Sequence, residues 1–195
     1  MLAKISLLLL SLLIPVMVCA QGNLKGTHEF RIAWGSGNSP EYEAFSDPCY
    51  ISSIPEIDPD EVIATGDRYT SGTLLAEYSY RITPWIDFGV NGGWSMFWQQ
   101  YNIGMGRKSF FHLMPLMRVN WLRKPRVTIY STFGAGMELV VRSPVYADKR
   151  TSWYGTGQVN YFGITYGKRI IGFFEAGYGS QGYVTVGVGY RIPSL

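Results

Sequence analysis

Eight stretches with one apolar and one polar side, connections of alternating length and an apolar leader predict an all-β fold. The predicted architecture is an eight-stranded antiparallel up-and-down transmembrane β-barrel. The longest stretch is Arg126 to Arg142, RVTIYSTFGAGMELVVR. Successive side chains on a strand point to opposite faces, so alternate positions are read as two sets. Val127, Ile129, Ser131, Phe133, Ala135, Met137, Leu139 and Val141 are apolar but for one serine. Thr128, Tyr130, Thr132, Gly134, Gly136, Glu138 and Val140 are mostly small or polar. An ordinary strand has about 5–6 residues. A tilted strand crossing a membrane has about 9–11, with lipid on one side and a polar lumen on the other.

The leader is residues 1–20. Lys4 precedes an apolar run from Ile5 to Val18, and Val18-Cys19-Ala20 resembles the small-residue cleavage pattern of a secretory signal peptide. The run is too short for a membrane-spanning helix of about 20 residues. Acylation at Cys19 would need a small residue before it, where Val18 stands. Removing the leader takes away Lys4, and the formal charge falls from +3 to +2, too little to point to nucleic acid. Cys49 is then the one remaining cysteine, so no internal disulfide forms. Residues 21–195 fit a single barrel domain with its strands within about 27–192. Charged residues make up 16 % of the chain, below the roughly 25 % of a soluble domain. The 23 Gly suit bent strands and a crowded lumen, and the 14 Tyr and 6 Trp suit membrane interfaces.

Strand one runs from His28 to about Gly35, with Phe30, Ile32 and Trp34 on one face and Glu29, Arg31 and Ala33 on the other. Gly35-Ser36-Gly37-Asn38 ends it. A long segment from about Asn38 to Asp67 carries Pro40, Pro48, Pro55 and Pro59, a density that argues against a ladder strand. Strand two, about Arg68 to Ile82, sets Leu74, Ala76, Tyr78 and Tyr80 against Leu75, Glu77, Ser79 and Arg81. After the short Thr83-Pro84, strand three runs from Trp85 to about Gln99. It puts Ile86, Phe88, Val90, Trp94, Met96 and Trp98 outward and Asp87, Asn91, Gly93 and Ser95 inward. A loop over about Gln100 to Arg107 leads to strand four, Lys108 to Leu122. There Phe111, Leu113, Pro115, Met117, Val119 and Trp121 face out, and Pro115 predicts a local bulge.

Arg123-Lys124-Pro125 turns into strand five, and a loop over about Ser143 to Ser152 follows it. Strand six, Trp153 to Gly167, has mixed parity, because Val159 and Tyr161 compete with Phe162 and Ile164. A bulge within it would reconcile the two sets. Lys168-Arg169 turns into strand seven, with Ile170, Phe174, Ala176 and Tyr178 outward and Glu175 inward. A compact Gly179-Ser180-Gln181-Gly182 loop precedes strand eight, where Val184, Val186, Val188, Tyr190 and Ile192 alternate with Thr185, Gly187, Gly189 and Arg191.

On these strands and loops the chain resembles the small eight-stranded outer-membrane β-barrels, the OmpA/OmpX-like group. The resemblance covers about residues 27–192. The chain departs from many of that group by ending on Ile192-Pro193-Ser194-Leu195, with no terminal aromatic. It implies both termini in the periplasm, short periplasmic turns and longer external loops.

The inward face collects Arg31, Glu77, Arg118, Glu138, Glu175 and Arg191, with Glu29, Arg81 and Asp87 nearer the ends. Buried charges need partners, so these predict an ion-pair network filling a barrel too narrow for an open pore. The first long loop holds Glu41, Glu43, Asp47, Glu56, Asp58, Asp60, Glu61 and Asp67 and no Lys or Arg. Asp58-Pro59-Asp60-Glu61 has oxygen ligands but not the spacing or glycine of an EF-hand, so a solvated acidic surface loop without a metal is predicted. Arg142, Lys149 and Arg150 can pair with that loop or meet lipopolysaccharide phosphates. His28 and His112 are the only histidines and fall toward opposite ends; FFHLMP lacks the serine of a lipid A deacylase pattern. Trp34, Trp85, Trp94, Trp98, Trp121 and Trp153 fit interface girdles.

The chain therefore reads as a monomeric outer-membrane barrel with a structural or adhesion-like surface role, without catalysis, cofactor or nucleic acid, and in contact with outer-membrane lipid and lipopolysaccharide. A small channel, a lipid-active barrel enzyme and a soluble lipocalin-like lipid binder are the alternatives. The last would invert the two faces of every strand.

Overall fold

The computed structural model describes residues 26–37, 64–101, 104–143 and 149–192. They form β1 (His28–Ser36), β2 (Ala64–Arg81), β3 (Ile86–Tyr101), β4 (Gly104–Arg123), β5 (Val127–Ser143), β6 (Arg150–Gly167), β7 (Ile170–Gly179) and β8 (Val184–Ile192). Each strand pairs antiparallel with the next, and β8 returns to β1 from His28↔Ile192 to Ser36↔Val184, which closes the barrel. Closure leaves no open sheet edge along the seam of β1 and β8, as a sheet in hydrocarbon requires.

The two faces sort as period two dictates. Outward apolar side chains stand exposed, including Ile32 at 69 %, Leu113 at 63 %, Val188 at 62 % and Ile170 at 74 %. Inward Glu29, Arg31, Asp87, Arg118, Asn120 and Glu175 are buried. That is the inverse of a water-soluble barrel, where apolar side chains fill the inside. The upper interior is not wholly polar, because Phe97, Phe110, Met114 and Val140 are also buried there.

Three local expectations are corrected. No long loop joins β3 to β4: the ladder continues through Gln100↔Met105 to Tyr101↔Gly104, leaving only residues 102–103 between them. Backbone pairing needs no apolar side chain, so the polar, glycine-rich letters at 100–107 hid two strand ends. Pro115 causes no bulge. Pairing with β5 skips it without changing register, while β3 still holds it opposite Val90. A missing N–H interrupts a ladder but inserts no residue. The shift in β4 lies instead between Asn120 and Leu122, at Trp121. β2 begins at Ala64, so Asp67 belongs to a strand rather than to the acidic segment. Glu41, Glu43, Asp47, Glu56, Asp58, Asp60 and Glu61, like the leader at 1–20, lie outside the described residues.

The mixed parity of β6 has a located cause. Its register to β7 shifts between Asn160 and Phe162, and its register to β5 shifts at the same level, between Tyr130 and Thr132. Tyr161 and Phe162 consequently both face outward, at 71 % and 43 % exposed. Ser131 Oγ fastens the paired irregularity, accepting from Trp121 Nε1 at 2.8 Å and donating to the Tyr161 carbonyl at 2.7 Å.

Candidate functional site

The barrel interior is a stack of polar layers. At its middle Glu29 and Arg31, two apart on one face of β1, meet directly at 2.5 Å. Glu29 also takes Arg118 from β4 at 3.2 Å and Arg191 from β8 at 2.5 Å. Arg118 reaches Glu77 on β2 with its other nitrogen. Arg31 reaches Glu175 on β7 at 3.0 Å and donates to the Tyr130 hydroxyl at 2.9 Å. That hydroxyl in turn donates to Glu175 at 2.7 Å. The Tyr130 ring lies between two guanidinium groups, 5.0 Å from Arg31 and 4.8 Å from Arg118. Charges so far from water persist only when each is paired and hydrogen-bonded, and here the lattice spans five strands besides β1.

Of the inward residues picked out by parity, Arg31, Glu77, Arg118, Glu175 and Arg191 are brought together. Glu138 is not. It is buried opposite His112 in a higher layer, roughly 20 Å along β5 from Thr132, the partner of Arg118. Glu29 is the hub rather than a residue near an end, since strand tilt carries the middle of β4 to the level of the start of β1.

Above this lattice Asn160 donates to Glu175 at 2.8 Å and accepts from Gln158 at 2.6 Å. Gln158 also accepts from the Gln181 backbone N–H at 2.9 Å and donates to the Gly182 carbonyl at 3.1 Å. The turn between β7 and β8 is thus folded into the lumen, with Ser180 and Gln181 buried. Gly182, at φ +122°, allows the inward fold, and an added Cβ would stand 2.6 Å from the Ser36 carbonyl. Parity cannot reach a turn, so this cap was invisible in the sequence. Between cap and lattice remains about 10 Å³, no more than one water needs.

The lower layer hangs on Asp87, which takes Arg81 at 3.0 Å, Arg123 at 3.5 Å and Asn120 at 3.1 Å. His112 points into the lumen and shares a 2.9 Å hydrogen bond with Asn91, facing away from the apolar wall. His28 binds the Tyr78 hydroxyl at 2.8 Å at the other end. Among the described residues, then, His28 meets a tyrosine hydroxyl and His112 a side-chain amide. Among the described residues no cluster of three His, Cys, Asp or Glu could hold a metal ion.

The upper rim is stepped. β2 to β6 run 16 to 20 residues, whereas β1, β7 and β8 run 9 or 10. Residues 150–155 of β6 pair with β5 and, among the described residues, with no strand on the other side. Beside the step lies an open cleft of about 390 Å³, lined by Glu138, Tyr154, Gly155, Gln158 and Tyr178 among others. Arg107, Lys149 and Arg150 stand exposed at this rim, and Arg142 donates to Ser152 at 3.1 Å and Tyr154 at 3.1 Å.

No known protein family matches the chain by sequence, and no curated protein does. Among solved structures the chain is similar to Ail, the attachment invasion locus protein of Yersinia pestis, in complex with the heparin analogue sucrose octasulfate. That match has 12 % identity and a TM-score of 0.46, over 86 % of this chain and 99 % of that one. A second crystal structure of Ail gives 13 % identity and a TM-score of 0.45 over the same shares.

Proposed function

We propose that this chain is a non-enzymatic outer-membrane β-barrel of a Gram-negative envelope, exported by a signal peptide at residues 1–20, whose role is surface interaction of an adhesion-like kind. The observation that carries this reading is a stepped sheet standing over a sealed lumen. A lumen closed by Arg31, Glu29, Arg118, Glu175 and the Gln181 cap favours anchoring over conduction. A sheet extended on one side offers an open cleft and an edge of β6 that pairs with no strand among the described residues, features that recruit an added strand or a ligand. The apolar wall supports residence in lipid, with Trp34, Trp85, Trp121 and Trp153 exposed where an interface girdle would lie. The basic rim residues supply contacts to lipopolysaccharide phosphates, and the barrel works as a monomer.

The test is surface display of the full chain in an envelope lacking its own adhesins. Cells carrying it should adhere to a glycan- or matrix-coated surface, and Gly155→Pro with Tyr154→Ala should abolish that adherence while leaving barrel assembly intact. Adherence equal to cells without the barrel would overturn the surface role. A steady conductance of the purified protein in planar bilayers would move the assignment to a channel.

A further inference from the structure

The opposite end of the barrel carries a feature that neither anchoring nor surface contact uses. Three arginines from separate strands, Arg81, Arg123 and Arg191, converge on a cavity of about 190 Å³ with three cations of the short turns, Lys124, Lys168 and Arg169. Among the described residues no carboxylate lines it. The volume is far above the ~10–15 Å³ that admits one water. The carboxylates behind the arginines are oversubscribed: Asp87 is shared by Arg81, Arg118 and Arg123, and Glu29 by Arg31, Arg118 and Arg191.

Arg123 shows the shortfall most directly. It is 6 % exposed, and its one ion pair among the described residues, from Nη2 to Asp87, is long at 3.5 Å. Its Nε and Nη1 are buried with no hydrogen-bond partner among the described residues. A guanidinium presents five donors in a fixed fork, so a buried one with two idle nitrogens lacks an acceptor of matching shape. The turns around it are held by their own backbone bonds, Lys124 N–H to the Val127 carbonyl at 2.7 Å and Gly167 N–H to the Arg126 carbonyl at 2.8 Å. Arg191 N–H binds the Arg169 carbonyl at 2.8 Å, which joins the third turn residue to the wall. The turns that carry these cations are therefore set by the scaffold before any ligand arrives.

We infer that this end of the barrel is a binding site for a phosphate-type oxyanion, which draws the buried Arg123 fork toward the cavity and is ringed by Lys124, Lys168 and Arg169. Tetrahedral oxygens suit the fork of Arg123, and the flexible lysines add charge without demanding a fixed geometry. A free phosphate entering from solvent and the headgroup of an anionic lipid at the barrel rim offer the same chemistry.

The full-length barrel, folded in zwitterionic detergent, is titrated with inorganic phosphate against chloride at constant ionic strength, and amide shifts of residues 124–128 and 168–169 are followed. Saturable shifts are expected. Arg123→Gln should weaken the binding about tenfold, the scale of one lost charge-assisted contact. The double variant Lys168→Gln with Arg169→Gln should weaken it comparably; it touches only an exposed turn, so heat-modifiable migration on a gel stays as in the parent. The same shifts are then read in phosphatidylcholine nanodiscs with and without phosphatidylglycerol. Phosphatidylglycerol that reproduces the shifts and displaces phosphate identifies the lipid headgroup as the source. Phosphate binding indifferent to phosphatidylglycerol identifies the free anion. No saturable response to either probe, or affinity unchanged in both variants, overturns the site.

Discussion

Glu29 holds three arginines on one carboxylate, and that single residue sets the stability of the interior. Replacing it leaves Arg31, Arg118 and Arg191 mutually repelling in a largely buried layer. Removing one partner of a buried charge pair costs about 3–5 kcal/mol. Glu29→Gln is therefore expected to lower the unfolding free energy by about that amount, measured by urea unfolding in lipid vesicles. Tyr130→Phe removes only a hydroxyl, but one that accepts from Arg31 and donates to Glu175. Its expected cost is about 1–3 kcal/mol, less than that of Glu29→Gln. A Tyr130→Phe protein as stable as the parent would mean that the hydroxyl is not a structural link. Gly163 belongs to the same layer. A Cβ there would stand 2.4 Å from the Tyr130 ring, so Gly163→Ala should destabilise by about 1–3 kcal/mol in the same assay.

Strands carry the register that brings these residues together, and most of that register was legible from alternation alone. Phe30, Ile32 and Trp34 against Glu29, Arg31 and Ala33 sort as period two requires, and so do both sets of β5. What alternation could not give was the place of an extra residue. Tyr161 and Phe162 both face outward because β6 slips by one there, and nothing in YF followed by glycine marks which is surplus. Glu29 was seen facing inward but not as a hub, since strand tilt and not sequence spacing decides which levels meet. Gln181 was unreadable because a turn has no parity. Deleting Tyr161 removes the surplus residue and leaves Asn160, Phe162 and Gly163 in plain alternation, so both halves of β6 should keep their faces. The expected result is a protein that still shows a gel shift between unheated and boiled samples; loss of the shift would mean that the irregularity is required for closure.

As a whole the molecule is a closed wall with a filled centre and two unlike ends. One end rises as a stepped sheet beside an open cleft, and the other is narrow, tied by short turns and rich in cations. The filled centre predicts no ion conductance in planar bilayers at any holding potential that leaves the barrel intact. All of this depends on which face meets lipid. A single-cysteine scan along β8, from Val184 to Val188 in a Cys49→Ser background, tests that most directly. Each cysteine would carry a fluorophore in lipid vesicles and be quenched from the lipid or from water. Labels at 184, 186 and 188 should be quenched by brominated lipid, with those at 185 and 187 spared. Quenching by lipid at 185 and 187 instead, or no alternation at all, would contradict a membrane barrel with a polar interior.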